Sequence, residues 1–537
     1  MSYVIISMIT IIAGWLLWYF ALPAITFSSI GFWFYLFVII NIFTACIKFC
    51  DVINDFENKV QHIIGNIAVA ATCFITGLIL ILSLIGTPIF QSRTYASLIK
   101  IDTVDTSMIP TVENLSEIPL MDTESAKKLG DRTIGSLDNV VSQYEVSDNY
   151  TTIIYNNKVY KIAPLEYAGF FKYQNNKYNG VPGYVLVDTQ TNEAKYVELE
   201  KGFRISDSAY FGNDLMRTFR RQYANLMCNE YSFQIDDEGT PYWVMTVNKP
   251  NAIFGAVTPT GVVVMNASDG TSNYYDLSNA PEWIDYIYTG NTVSRLYNHY
   301  GDYSNGFWNS LFSQKGVTHV TDDYGYIAKD NDIWIYTGVT SVNHDESNLG
   351  FIMMNSRTGE CNYIKCDGAE EYSAMSAAEG VVQNYGYKAS FPALITVNDE
   401  PTYALVLKDD NGLVKQYAFV NVKNYTIVTT ADSLKKAHDN YIKLLNGEIT
   451  ENEATTQNTP VYETIQIKDG VSKTINIEKI ESYTIHGETY VYLFSDDKAY
   501  KLLLSDNENA IFLKPGTSIT ITIEKQSTND IINAVMN

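Results

Sequence analysis

The chain has 537 residues, which is enough for two or three domains with separate cores. Its formal net charge is −23, so the sequence predicts no broad basic surface for nucleic acid or for an anionic membrane surface, and we expect no nucleic-acid partner. Six cysteines are too few for a disulfide framework in a chain of this length, and they lack the spacing of a zinc site.

Three apolar segments open the chain. Residues 3–22, 30–47 and 63–90 contain no charged residue, and each approaches or exceeds the roughly 20 residues that a helix needs to cross a bilayer. We predict a three-helix transmembrane anchor over residues 1–92 and a connector over residues 93–121. A helical hairpin buried in a soluble fold is the alternative. A channel is disfavoured, because functional membrane pathways need polar or charged residues inside the spans.

The basic residues do not decide on which side of the membrane the chain after the third apolar segment lies. Lys48 and Lys59 lie between the second and third spans, and Arg93 and Lys100 follow the third span. The numbers are equal, so the positive-inside rule gives no orientation. The remainder of the chain is acidic, rich in tyrosine and poor in thiols, and we therefore expect it outside the cytoplasm.

One segment of 17 residues, called the repeated phrase below, occurs in three copies. Residues 183–199 read GYVLVDTQTNEAKYVEL, residues 261–277 read GVVVMNASDGTSNYYDL and residues 350–366 read GFIMMNSRTGECNYIKC. A weaker fourth copy covers residues 404–420. An apolar strand, a polar turn and an alternating strand make the pattern of a β-hairpin.

The three copies share residue types at the first, sixth and fourteenth positions. These are Gly183, Gly261 and Gly350; Asp188, Asn266 and Asn355; and Tyr196, Tyr274 and Tyr363. Glycine permits a close backbone approach, and Asp or Asn nucleates a turn through its side chain. On this interpretation the phrase is a scaffold element. The alternative is that the three tyrosines form a ligand-facing stripe.

The repetition extends upstream of each hairpin. A second pair of short strands precedes it, and helices are predicted before these pairs at residues 123–137, 207–227, 292–312 and 374–385. We predict a repeated α+β region over residues 122–446. Its units cover about residues 122–200, 205–280, 290–367 and 370–428, and a closing helix covers residues 431–445.

The tail is a separate region. Residues 447–460 are polar and without apolar periodicity, as in a linker. Residues 461–537 contain five predicted strands, at residues 475–485, 489–494, 499–504, 510–513 and 518–524. Five short strands in this length predict a small β-barrel, OB-like or SH3-like. The fold class is therefore α+β, with a helical anchor, four helix-plus-antiparallel-sheet units and a C-terminal barrel.

Two sets of residues carry a resemblance to known families. The turns Asn355-Ser-Arg-Thr-Gly-Glu360 and Asp188-Thr-Gln-Thr-Asn-Glu193 resemble the V-V-D-x-x-T-G-E hairpin of PepSY-type domains. The run from Asp122-Thr-Glu-Ser-Ala-Lys-Lys-Leu-Gly-Asp131 through Tyr336-Thr-Gly-Val-Thr-Ser341 to Lys408-Asp409 resembles an uncharacterised bacterial membrane-anchored family. That resemblance implies anchoring and no particular chemistry.

We find no catalytic motif. The sequence contains no phosphate-binding loop, zinc-protease motif, nucleophile elbow or dinucleotide fingerprint, and we predict no catalytic, cofactor or metal residues. Acid-rich turns at residues 236–238, 322–323, 330–332 and 344–346 could bind calcium but more simply face solvent. Arg217, Arg220 and Arg221 form a basic cluster on a predicted helix, which is either a solvated face or a patch for an anionic partner.

These observations predict a non-enzymatic, membrane-anchored scaffold or protein-interaction protein of the bacterial cell envelope, with a protein partner or a second copy of the chain. The alternative is a cell-envelope glycan-binding protein or enzyme with a tyrosine-lined groove between repeats. In either case we expect the pockets between repeats to be lined mainly by Tyr, Asn and Ser.

Overall fold

The computed structural model describes residues 2–53, 59–111, 115, 118–251, 254–342, 344–450, 454, 470–485, 488–496, 498–504, 507–524 and 531–536. The chain divides into two compact units, Met1–Glu451 and Asn452–Asn537. The predicted linker, residues 447–460, and the first residues of the predicted barrel lie largely outside the described residues.

Three apolar helices begin the first unit: α1 (Ser2–Ala21), α2 (Ile30–Ile53) and α3 (Lys59–Ile85). All three are long and apolar enough to cross a membrane, and their side chains are largely exposed. This confirms three apolar helices at the predicted positions, although α3 ends earlier than expected. The chain turns at Gly86, and a separate helix, α4 (Pro88–Ala96), follows, with proline at its first turn.

Four sheets follow the anchor. The first sheet contains β2 (Tyr144–Val146), β3 (Thr151–Tyr155), β4 (Lys158–Tyr167), β5 (Val181–Asp188) and β6 (Glu193–Phe203). The second contains β7 (Met227–Ile235), β8 (Pro241–Pro250), β9 (Val257–Asn266) and β10 (Ser272–Asp276).

The third sheet includes a strand from the segment that follows the apolar helices and α4. It contains β1 (Ile101–Val104), β11 (Thr318–Val320), β12 (Gly325–Lys329), β13 (Asp332–Ser341), β14 (His344–Asn355) and β15 (Cys361–Ala369). Strand β1 pairs with β15 in parallel, with Ile101 opposite Cys361. The fourth sheet contains β16 (Lys388–Ala389), β17 (Ala393–Val397), β18 (Glu400–Lys408), β19 (Val414–Asn421) and β20 (Val428–Ala431).

Each of the four sheets contains one antiparallel meander of four consecutive strands. The meanders are β3 to β6, β7 to β10, β12 to β15 and β17 to β20. In the first three meanders the last hairpin is one copy of the repeated phrase, whereas the weaker fourth copy, residues 404–420, falls on the middle hairpin, β18 and β19. The apolar residues of the phrase fall on its first strand, because that strand is the interior one of the sheet and is covered on both faces.

Helices accompany the meanders: α5 (Thr123–Gly135), α6 (Asp138–Val141), α7 (Phe170–Asn176), α8 (Leu215–Gln222), α9 (Gly290–Tyr303), α10 (Glu371–Val381) and α11 (Leu434–Leu445). A side chain caps the start of α5, α8, α9, α10 and α11. The residues are Asp122, Asp214, Thr289, Glu370 and Ser433. These caps fix where the helices begin by accepting hydrogen bonds from their first N–H groups.

Two predicted helices were too long. The helix expected over residues 207–227 is only α8, because Asp214 caps it at residue 215 and the chain has already entered β7 at Met227. The helix expected over residues 292–312 ends at Tyr303; Gly306 then adopts a φ of 88°, and a short π-helix covers Asn309–Ser313. Apolar spacing alone does not detect these local breaks.

Consecutive sheets share hydrophobic cores. The first and second sheets bury one core, which includes Tyr184, Phe233 and Trp243. The second and third bury another, and the third and fourth a further one around Phe351 and Tyr403. Helix α11 covers the fourth sheet. The sheets therefore support one another, which is what a sheet with two apolar faces requires.

The second unit contains one sheet of six described strands: β21 (Gly470–Asn476), β22 (Lys479–Ile485), β23 (Glu488–Ser495), β24 (Lys498–Leu503), β25 (Ser518–Glu524) and β26 (Ile531–Met536). Their order is β21-β25-β26-β24-β23-β22. The expected strand at residues 475–485 is two strands, and that at residues 510–513 is a 3-10 helix, Glu508–Phe512. Among the described residues the two edge strands are not paired, so no closed barrel is found.

Candidate functional site

The side chain at the sixth position of the repeated phrase accepts hydrogen bonds from backbone N–H groups of the turn. Asp188 Oδ1 accepts hydrogen bonds from the N–H groups of Gln190 (2.8 Å) and Thr191 (3.0 Å). Asn266 accepts one from Ser268, and Asn355 accepts two, from Arg357 and Thr358. Asp409 of the fourth copy accepts from Asn411 and Leu413. The predicted turn chemistry is confirmed, because the side chain replaces missing backbone partners.

The first and fourteenth positions of the phrase contact each other. A Cβ added to Gly183, Gly261 or Gly350 would collide with the ring of the tyrosine at the fourteenth position of the same copy, and with the carbonyl oxygen of the next residue. Each tyrosine ring therefore lies over a glycine on the neighbouring strand. Such a pair fills the space that the glycine leaves open and fixes the register of the hairpin.

The three tyrosines lie on three different sheets. Tyr196 is on β6, and its buried hydroxyl has no hydrogen-bond partner within the described part of the chain. Tyr274, on β10, donates to Asp276 at 3.0 Å, and Tyr363, on β15, donates to the carbonyl oxygen of Leu349 at 2.9 Å. The structure does not bring them together into one stripe. A ligand-binding role for any one of them stays a prediction.

The basic cluster is divided among three environments. Arg220 is only 3% exposed and donates to the carbonyl oxygens of Tyr223, Ala224 and Leu226. Arg217 pairs with Asp214, and Arg221 is exposed. Burial lowers the pKa of Arg220, which nevertheless stays protonated as arginine does in proteins. A role with an anionic partner stays a prediction, and Arg221 is the member of the cluster that faces solvent.

A cavity lined by polar and aromatic side chains lies between the first, third and fourth sheets. Its volume is about 410 Å³, which is within the range of small-molecule sites. Its polar and aromatic lining consists of Asp122, Thr123, Asp148, Asn149, Tyr150, Thr152, Lys161, Thr189, Tyr286, Asp323, Tyr324, Tyr326, Tyr336 and Phe391. The expected tyrosines are present, but lysine and aspartate occur where we expected Asn and Ser. Tyr196, Tyr274 and Tyr363 are not in its lining.

Lys161 is the buried cation of this cavity. It lies on β4, and its Nζ donates to Oγ1 of Thr123 and of Thr152, both at 3.2 Å. Its Nζ also lies 5.4 Å from the ring centre of Tyr326. An ammonium group has three N–H bonds, so one N–H remains for a ligand. Burial lowers the pKa of Lys161 to about 8, against the attraction of Asp122, and the group is mostly protonated at pH 7.

A nearby carboxylate is already occupied. Asp122 caps α5 by accepting from the N–H of Ser125 at 2.8 Å, and it forms a salt bridge with Lys408 of the fourth sheet. Although Asp122 is largely buried, its pKa lies below the ordinary value because Lys408 and Ser125 stabilise the carboxylate. In the described ranges Lys161 forms no salt bridge, and an anionic ligand group would complete its surroundings.

Tyrosine hydroxyls supply further polar groups of the cavity lining. The hydroxyls of Tyr286 and Tyr326 are 2.9 Å apart, and burial raises the pKa of both, so they are neutral. Among the described residues, the hydroxyl of Tyr150 is buried and has no hydrogen-bond partner. This hydroxyl lies against Gly130 of α5, and a buried hydroxyl without a partner loses free energy relative to one that is bonded.

The acid-rich turns do not converge. Asp332 accepts from Arg357 Nε at 2.7 Å and from Asn355 Nδ2 at 2.9 Å, so its carboxylate is engaged. In the part of the chain that the structure describes, no group of three His, Cys, Asp or Glu residues could hold a metal ion. The side chains of residues 344–346 lie outside the described residues.

Sequence reasoning missed Lys161. The residue lies within VYKIAPL, an apolar strand sequence in which a lysine is unusual. That lone charge was the available signal. The other cavity residues come from loops and strand ends far apart in the sequence, and no local pattern connects them.

No family model matches the sequence, and no curated protein matches it. Among solved structures, a similarity was found to the crystal structure of cobalt-substituted ACO from Synechocystis, at 7% identity and a TM-score of 0.15. The match covers 53% of each chain, so this chain spans about half of that protein. A similarity of this size carries no argument about fold or function.

Proposed function

We propose that this protein is a non-enzymatic, membrane-anchored interaction protein of the bacterial cell envelope, and that the cavity around Lys161 is its ligand site. The observation that carries the proposal is the incomplete bonding inside the cavity. Among the described residues Lys161 donates to two threonine hydroxyls and keeps one N–H for a ligand. A buried polar group is normally satisfied, and a bound ligand would satisfy this one.

The finer architecture is part of the proposal. The four meanders are copies of one PepSY-like unit, supported by the Gly–Tyr contact that the first three share and by the side-chain-bonded turn found in all four. The second unit is a small OB-like or SH3-like barrel, supported by the order of its sheet, in which the two edge strands β21 and β22 adjoin in sequence. The four meanders act as a scaffold that faces the exterior and recruits a protein partner or a second copy.

The ligand proposed for the cavity carries an anionic group. Lys161 would bind a carboxylate through its remaining N–H, and the neutral tyrosines would stack on a ring or accept and donate hydrogen bonds. An acidic cell-wall sugar fits this chemistry, since aromatic rings pack on the apolar face of a sugar. This is the glycan-binding alternative, and the tyrosine-rich lining favours it.

Binding measurements on the full chain in detergent micelles test the proposal. A uronic-acid disaccharide and a short acidic peptide would each be titrated calorimetrically at pH 7 and at pH 9.5. We expect one of them to bind at pH 7 and to bind more weakly at pH 9.5, because Lys161 loses its charge as the pH rises through about 8.

Two variants of the same hairpin sharpen this test. Lys161→Met should weaken binding by about tenfold or more, since a charged hydrogen bond contributes about 1.5–3 kcal/mol. Lys158→Met is the matched control, because Lys158 is exposed on β4, and it should bind as the unaltered protein does. Equal binding by the Lys161 variant, or no binding of either ligand, would contradict the proposal.

A further inference from the structure

We infer that two clusters of exposed aromatic side chains hold the first unit against the interface of the bilayer that its own helices cross. The partner is lipid, at the level of the headgroups and the first part of the acyl chains. This inference rests on the proposed membrane anchor and is independent of the cavity and its ligand.

The first cluster, called cluster A, consists of Phe170, Phe171, Tyr210 and Phe211. The ring centre of Phe170 is 5.1 Å from that of Tyr210 and 6.2 Å from that of Phe211. Phe171 is 80% exposed and Phe211 is 52% exposed. Phe211 also has a φ of 57°, which is costly for a bulky residue. A strained backbone conformation and an exposed apolar ring thus occur at the same residue, which points to a role for this surface.

Cluster A lies beside the end of α1. Asp214 follows cluster A in the chain and caps α8, and Arg217 of that helix donates from Nε to the carbonyl oxygen of Tyr19 at 3.4 Å. The Arg217 guanidinium also stacks 4.5 Å from the ring centre of Tyr19. Just beyond α1, the N–H of Ile25 donates to the carbonyl oxygen of Ala224 at 2.7 Å. The surface carrying cluster A is thus joined to the place where the first span ends.

The second cluster, called cluster B, consists of Trp308, Leu311 and Phe312. Trp308 and Phe312 are 63% and 75% exposed, and their rings stack at 5.8 Å with an angle of 8° between their planes. They flank or lie within the π-helix Asn309–Ser313 that follows α9. Two large stacked rings that remain exposed together form an apolar patch and not scattered surface residues.

Cluster B lies beside the end of α3. Helix α4 begins two residues after Gly86, and Tyr95 of α4 donates to the carbonyl oxygen of Gly86 at 2.9 Å. The ring of Tyr95 contacts His299 and Tyr303 of α9, at 4.9 Å and 5.8 Å between ring centres. Helix α9 leads directly into cluster B, so this cluster is joined to the end of the third span.

Both clusters are on the same side of the membrane. Neighbouring spans run in opposite directions: Tyr35 of α2 donates to the carbonyl oxygen of Gly14 in α1 at 3.1 Å, and Lys48 of α2 donates to Asn66 of α3 at 2.8 Å. The ends of α1 and α3 therefore emerge from the same face. Aromatic residues with an apolar body are enriched at that level of a bilayer, and two separate points of contact would fix the tilt of the unit.

Depth-dependent quenching tests the inference. A bimane fluorophore would be attached at Phe171→Cys or Phe312→Cys in the full chain, reconstituted in phosphatidylcholine vesicles, after Cys46, Cys50 and Cys73 are replaced by alanine. The other three cysteines are buried. We expect a nitroxide near the lipid headgroup to quench both labels strongly and one near the bilayer centre to quench them weakly.

Two further labels serve as controls. Phe74→Cys, on the exposed face of α3, should be quenched by the central nitroxide, which tests the anchor itself. Leu413→Cys, an exposed apolar position in a turn of the fourth sheet, should not be quenched. If position 74 is quenched while position 171 or 312 behaves as position 413 does, the inference is overturned and the anchor stands. If position 74 is not quenched, the anchor and the inference both fail.

Discussion

The glycine and the tyrosine of the repeated phrase act as one structural element. In the third copy, a Cβ on Gly350 would lie 2.8 Å from the ring of Tyr363 and would overlap the carbonyl oxygen of Ile364. The ring can rotate away, whereas the backbone oxygen cannot move without breaking the pairing of β14 with β15. The glycine is therefore required by the backbone and not only by the tyrosine.

We predict that Gly350→Ala lowers the free energy of unfolding by about 1–3 kcal/mol, the cost of overpacking a tight site. Gly380→Ala is the matched control, because a Cβ there meets nothing within 4 Å and the residue lies in α10. Alanine should stabilise that helix by up to about 1 kcal/mol. Urea denaturation of the full chain in micelles measures both. A Gly350 variant as stable as the unaltered protein would refute the close-contact argument.

The turns of the hairpins are not equivalent in strength. Asn355 is buried and makes three hydrogen bonds, two from the backbone of its own turn and one to Asp332. Asp332 in turn binds Arg357 through Nε and Nη2, at 2.7 Å and 2.8 Å. The third turn thus ties β14 to the start of β13, and it is the most heavily bonded of the copies.

We predict that Asn355→Ala destabilises the first unit by about 2–4 kcal/mol, since each lost bond contributes about 0.5–1.5 kcal/mol. Asn411→Ala, at an exposed position in the corresponding turn of the fourth copy, should change stability by less than about 0.5 kcal/mol. Thermal denaturation followed by near-ultraviolet circular dichroism compares them. If the two substitutions lowered the free energy of unfolding equally, the hydrogen bonds of the Asn355 side chain would add no stability to the hairpin.

At the level of secondary-structure elements, the sequence correctly predicted those elements that have a regular spacing of apolar residues. The spans, the hairpins of the phrase and the turn residues follow from local apolar and polar patterns. Errors occurred where a non-local or single-residue effect decides: Asp214 and Gly306 end or delay helices, and residues 510–513 form a 3-10 helix in place of a strand. The cavity was foreseen as tyrosine-rich, but Lys161 gains its role only from neighbours brought by folding.

At the scale of the whole molecule, a labelling experiment can measure on which side of the membrane the C-terminal part of the chain lies. We predict that a cysteine replacing Ser472, an exposed residue of β21, reacts with a membrane-impermeant maleimide on intact cells. The native cysteines, three of which are buried, could give background labelling. Labelling of the unaltered chain measures that background. Labelling that requires permeabilised cells would place this strand in the cytoplasm.

The pairing of β1 with β15 has a consequence for synthesis. Strand β1 is made as soon as the third span has left the ribosome, but its partner, centred on residues 361–364, is made only after the first two meanders are complete. Until then β1 presents an unpaired edge, which is a template for wrong pairing. The contact closes a very long loop, and such contacts form late. Chains stopped after the second meander should therefore be prone to aggregate or to recruit chaperones, whereas chains that reach residue 369 should not.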